Sequence, residues 1–151
     1  TTGPNIDPIV AFRASRGLND YRLIKSNSGG ITPKMTTEKH QDACVFLDKA
    51  LSEKFDGHTV VVTHHLPSFS LVNPIYSGDS LNHCFASDCD WLIEKHAPAI
   101  WCFGHSHAYQ VKKLHSTLML QNSYGYWHYA EVADFDPHLN IELDKVNENY
   151  N

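Results

Sequence analysis

The chain has 151 residues, 42% hydrophobic and 19% charged, which suits one domain with a real core and argues against disorder. Its formal net charge of −5 disfavours general binding to nucleic acid or anionic membranes, which needs a basic face. No apolar run approaches the roughly 18 residues of a membrane span, and residues 1–12, with Asp7 and two prolines, lack the apolar core of a secretory leader.

Residues 1–36 hold Gly, Pro, Asn and Ser without a sustained period and read as a loop-rich opening. Within it, residues 20–26 predict a short strand with Tyr21, Leu23 and Lys25 on one face, and residues 26–30 a turn. Residues 37–55 predict a helix. Cys44, Leu47, Leu51 and Phe55 form its apolar stripe, Ala43, Phe46 and Ala50 lie beside it, Thr36 is the expected N-cap and Gly57 the stop.

Residues 59–63 predict a buried strand, because Val60, Val61 and Val62 are stiff at χ1 and pack well on a pleated surface. A long segment, 66–86, follows, and a loop of that length in a compact domain usually carries function. Ser87 is expected to cap a second helix that Pro98 stops. Residues 99–104 form a second apolar run ending in Gly104, and residues 117–122, 129–135 and 139–143 read as further strands before a frayed end at 144–151. The whole chain, 1–151, is read as a single α/β domain.

Four cysteines, Cys44, Cys84, Cys89 and Cys102, show no Cys-x-x-Cys pairing, and Cys44 and Cys102 sit in apolar runs. A reduced, cytoplasmic protein is the simplest expectation. Eleven histidines is a high number, although most should be ordinary surface residues.

Two apolar strands each run into histidine: Thr63-His64-His65 and Gly104-His105-Ser106-His107. One helix separates them, so the unit is strand–helix–strand. If the strands are parallel, both histidine pairs emerge at one carboxyl edge, where α/β sheets place their sites. Gly104 is expected to let the chain turn sharply there. A single histidine at a strand end is usually structural; matched sets at two strand ends point instead to metal ligation.

Several histidine-rich metal folds do not match. The metallo-β-lactamase pattern needs His-x-His-x-Asp-His, whereas Ala108, Tyr109 and Gln110 follow His107. Cupins need a glutamate where Gln110, Val111 and Lys112 stand, and amidohydrolase barrels carry their His-x-His on an early strand of a far longer chain.

The stretch VVVTHHLPS, followed forty residues later by WCFGHSHAYQ, resembles the last two metal motifs of the calcineurin-like metallophosphoesterase superfamily. GLNDYRLI, TTEKHQDACVFL, QNSYGY and FDPHLNIEL resemble its bacterial members, so the likeness runs over nearly the whole chain. It implies the C-terminal half of a metallophosphoesterase-type α/β sandwich, with helices packed on mixed sheets.

The resemblance also implies roles. His65 and His105 match ligands of the second metal and His107 a ligand of the first. His64 matches a neighbour facing substrate, with an exchange of roles between His64 and His65 left open. The implied cofactors are two divalent ions, Mn, Fe or Zn, roughly 3.5–4 Å apart, whose bridging hydroxide attacks a phosphomonoester or phosphodiester in line.

The family's first-half motifs (Asp-x-His, Gly-Asp and Gly-Asn-His) are not found in matching order. Asp136-Pro137-His138 lies in the closing segment and Gly78-Asp79 in the long loop, and both read as chance. Residues 123–126, SYGY, read as a packing turn. The expectation is a truncated form, inactive alone and binding at most one metal, that needs a missing N-terminal half. The alternative is a non-catalytic module that dimerises through an open sheet edge. Ser68, Tyr76 and His83 in the long loop either shape substrate choice or belong to a solvated cover.

Overall fold

The structure, a computed structural model, describes residues 7–27, 29–126, 128 and 134–146. It is an α/β arrangement in which helices pack on a mixed sheet, as the class read from sequence requires.

The opening is more regular than its composition implies. Helix α1 spans Pro8–Gly17: Asp7 accepts a hydrogen bond from the Ile9 amide at 2.8 Å, and Pro8 occupies the first helical turn, where no donor is lost. Val10 and Ala14, one turn apart, are buried. The strand expected over 20–26 is instead a short helix, α2 (Asp20–Leu23), followed by β1 (Lys25–Ser26), which pairs antiparallel with β2 (Gly29–Gly30). The apolar alternation of Tyr21 and Leu23 was too short to separate a helical turn from a strand.

Helix α3 runs Pro33–Ser52. It begins before the expected Thr36 because Thr32 is the cap, accepting from the Met35 amide, and Pro33 pre-sets the first turn. Thr36 lies inside the helix, where its hydroxyl meets the Tyr21 hydroxyl at 3.0 Å. Cys44, Leu47 and Leu51 pack on the core, but Phe46 and Phe55 are exposed, Phe55 lying past the helix end.

The main sheet has the order β3 (Val60–Val62), β4 (Ile100–Cys102), β6 (Thr117–Asn122), β5 (Tyr109–Leu114). β3, β4 and β6 are parallel, and β5 pairs antiparallel with β6. Helix α4 (Asp90–His96) links β3 to β4. Its N-cap is Cys89, without a side-chain cap bond, and not Ser87, whose amide is spent on the Leu66 carbonyl.

Side chains alternate across the strands, so the sheet has two unlike faces. Val61, Trp101 and Met119 meet Leu92 and Ile93 of α4 and the apolar stripe of α3. Ile100 and Leu118 point the other way, where Val146 and Ile141 cover them. Val60 and Val62 share that second face and are 42% and 74% exposed, so among the described residues β3 is an edge strand buried only through Val61.

The segment 66–86 is a chain of 3₁₀ turns, Phe69–Leu71, Pro74–Tyr76 and Ser80–Cys84, capped by Ser68, Asn73 and Asp79. A parallel bridge between Leu66 and Ala86 closes it. The strand expected over 139–143 does not form. The backbone there is irregular up to a 3₁₀ turn at Leu143–Lys145, and Val146 is buried rather than frayed. Of the strand expected over 129–135, residues 129–133 lie outside the described residues, as do 147–151 of the closing segment.

Candidate functional site

β3 and β4 are parallel and in register, Val62 opposite Cys102, so their histidine ends leave the sheet at one carboxyl edge. The ladder continues past both strands: the Thr63 amide donates to the Cys102 carbonyl and the Gly104 amide to the His64 carbonyl, each at 3.0 Å. Buried Trp101 donates from Nε1 to Thr63 Oγ1 at 3.0 Å, and that hydroxyl donates to the His65 carbonyl. The two histidines are thus held by the sheet and by an indole in the core.

Three imidazoles gather at this edge. His64 Nε2 and His105 Nδ1 are 3.0 Å apart, and the His65 ring centroid lies 4.5 Å from His105 and 5.2 Å from His64. Phe85 stacks on His105 at 4.7 Å. His107 lies edge-on to Tyr126 at 4.6 Å, so the 123–126 segment brings a ring to a histidine.

Burial and the neighbouring imidazoles disfavour the charged forms. His105 is pushed down to about 4, first by burial and then by His65 and His64, and burial also lowers His65. Both are therefore neutral at pH 7, the form in which imidazole binds a metal.

The turn after β4 is strained at its histidines. His105 has φ 65° and His107 φ 45°, in the left-handed region that L-residues avoid. Gly104, expected to supply the freedom, does not: it has no positive φ, and a Cβ there meets its nearest atoms at an ordinary 3.7 Å. Fully buried Gln121 braces the turn, its amide nitrogen donating to the Gly104 carbonyl and to Ser106 Oγ at 3.1 and 3.0 Å.

Two contributors were not legible in the sequence. Gln121 stands out only as a polar residue in an apolar strand. Asp20 lies inside the GLNDYRLI stretch, which assigns it no role, yet its charge reaches both His65 and His105 and opposes their downward shifts. The two carboxylates set aside in the sequence are occupied locally: Asp79 Oδ1 caps a 3₁₀ turn, and Asp136 Oδ1 accepts from the His138 amide.

Two ligand nitrogens on one ion with bonds of about 2.0–2.1 Å lie roughly 2.9–3.4 Å apart, depending on geometry. His64 Nε2 and His105 Nδ1 share a ring-to-ring hydrogen bond at 3.0 Å, a separation that also falls within that span. A 360 Å³ cleft lies at the opposite, amino edge of the sheet, beside Thr59, Ala99 and Ser116. Histidines near that end are tied to carboxylates, His58 to Asp144 at 2.9 Å and His96 to Asp48 at 2.6 Å.

No family model and no solved structure matches the chain. It is similar to an uncharacterized protein of Acanthamoeba polyphaga mimivirus, 25% identical over 158 residues that include 97% of this chain. The chain spans about half, 55%, of that relative's length.

Proposed function

We propose that this chain is the histidine-bearing part of a metallophosphoesterase-type hydrolase acting on phosphomonoesters or phosphodiesters. The observation that carries the reading is the convergence of His64, His65 and His105 at the shared carboxyl edge of two parallel strands. In this reading His65, His105 and His107 hold divalent metal, Mn, Fe or Zn, and His64 faces the phosphoester; the 3.0 Å approach of His64 to His105 favours an exchange of roles with His65. The metal, when bound, supplies Lewis acidity and an acidified water. The protein's part is to present neutral imidazoles on a braced edge. Imidazoles carry no charge to offset two cations, so the reading requires carboxylates from a further segment; on this chain the Asp20 charge reaches His105. Four free cysteines and the lack, among the described residues, of any helix long and apolar enough to cross a membrane fit a cytoplasmic setting.

The test is hydrolysis of p-nitrophenyl phosphate and its bis ester, in Mn²⁺, Fe²⁺ and Zn²⁺, by the chain co-expressed with the unmatched portion of the mimivirus relative. Activity that His105→Ala removes is the expected result. A folded assembly inactive in all three metals overturns the reading.

A second reading rests on β3, which leaves Val60 and Val62 exposed at the sheet edge. In it the chain is a non-catalytic module that pairs through this edge and holds one metal.

A further inference from the structure

On the helical side of the sheet a second set of donors converges, near enough to the histidine edge for His40 to act on His65. His40 and Cys44 lie one turn apart on α3, and Cys89 stands at the start of α4. Cys44 Sγ lies 3.6 Å from His40 Nε2 and 3.9 Å from Cys89 Sγ, and donor atoms of all three residues fall within 4.8 Å of one another.

We propose that His40, Cys44 and Cys89 form a binding site for a thiophilic divalent cation, Zn²⁺ in the first instance, that staples α3 to α4.

The spacing is what the metal requires. Tetrahedral zinc, with bonds of about 2.3 Å to sulfur and 2.0–2.1 Å to imidazole nitrogen, sets its sulfurs roughly 3.8 Å apart and each sulfur roughly 3.6 Å from the nitrogen. The two separations at Cys44, 3.9 and 3.6 Å, already stand within about 0.1 Å of those edges, and the third, His40 to Cys89, lies within 4.8 Å and closes on the ion by side-chain rotation. The i,i+4 placement on a helix supplies two ligands on one face without any backbone adjustment. Cys89 is held rigidly, its amide donating to the Pro67 carbonyl at 2.9 Å, while His40 and Cys44 are only half-buried, which leaves an entry path.

Asp90, next in the chain to Cys89, keeps a buried carboxylate oxygen without a hydrogen-bond partner among the described residues. The ligand set, one imidazole and two sulfurs, selects a softer ion than the all-imidazole edge. Each bound thiol loses its proton to solvent as the metal–sulfur bond forms, so no oxidant or reductant is needed. The site does not depend on the phosphoesterase reading.

The experiment is anaerobic titration of the reduced, metal-free chain with Co²⁺, followed by Zn²⁺. The expected result is a thiolate-to-cobalt charge-transfer band that saturates at one Co²⁺ per chain and disappears on adding Zn²⁺. Cys44→Ser removes the band, whereas His105→Ala with His107→Ala keeps it, because imidazole gives no such transition. A wild-type chain showing no charge-transfer band, or a band undiminished in folded Cys44→Ser, overturns the proposal. Labelling of the unaltered chain removes any dependence on a variant's folding. Zn²⁺ is expected to slow iodoacetamide modification of Cys44 at least tenfold and leave Cys102 unchanged, and equal rates with and without Zn²⁺ overturn the site.

Discussion

His105 combines an imidazole at the carboxyl edge of the sheet with φ of 65°, a backbone that costs an L-residue roughly 1–2 kcal/mol relative to glycine. Such strain persists where the surroundings over-determine it, and here the bracing comes from Gln121 beneath the turn and Phe85 on the ring. The two contributions of the residue are separable. His105→Ala loses the ring and keeps the strain; His105→Gly loses the ring and relieves it. His105→Gly is therefore expected to be more stable than His105→Ala by about 1 kcal/mol in urea unfolding. Equal stability of the pair would show that the turn carries no backbone strain. The histidines themselves were legible, because each follows an apolar strand that names its own end. The strained position was not. The sequence places conformational freedom at Gly104, but the torsion falls one residue later, where the ladder bond from the Gly104 amide to His64 has already fixed the glycine. Asp20 and Gln121 escaped notice for a different reason: their relation to the site exists only once α2 and β6 are placed, and no spacing in the chain encodes it.

At the scale of elements, α3 and α4 are joined by more than apolar contact. Asp48 on α3 accepts from Lys95 Nζ and pairs with His96 Nε2, both at 2.6 Å, the two partners coming from the last turn of α4. Lys95 first and His96 second hold the Asp48 carboxyl below its usual range. A carboxyl whose pKa is depressed by folding contributes stability above its unfolded value, about 3.9, and loses it as pH falls through the folded value. The thermal midpoint is thus expected to be insensitive to this group from neutrality down to about pH 4 and to fall below that. Asp48→Asn is expected to lower the midpoint at pH 7 and to flatten the acid limb, so that the two proteins converge at low pH. Parallel limbs in a pH series of thermal melts would remove Asp48 as the origin. The parallel pair β3 and β4 and the helix between them could be read from the sequence because periodicity, a proline stop and apolar runs agree there. α1 could not, since Ile9 and Phe12 interrupt its buried positions with exposed apolar ones. β5 was missed because Gln110, Lys112 and Lys113 give it a polar cast, although it is paired along its whole length with β6.

For the whole molecule, the asymmetry of the sheet decides what the chain can do alone. One face is covered by α3 and α4; on the other, Val146 and Ile141 cover Ile100 and Leu118 but not the β3 side. Val62, the last β3 residue before the histidine tip, is 74% exposed, and β3 has a hydrogen-bonded neighbour on one side only among the described residues. An exposed β-branched edge is a template for pairing with another strand, and a lysine on that edge is a common natural deterrent. The β3 residues Val60–Val62 lead directly into His64 and His65, so the open edge and the histidine tip belong to the same strand. The isolated chain is accordingly expected to self-associate as its concentration rises. Val62→Lys should shift sedimentation toward the monomer while leaving the thermal midpoint nearly unchanged, because the side chain it replaces contributes little to the core. A wild-type chain that sediments as a monomer at high concentration would mean that the edge is satisfied within the chain itself. A Val62→Lys protein that unfolds would mean instead that this face is covered by residues of the same chain.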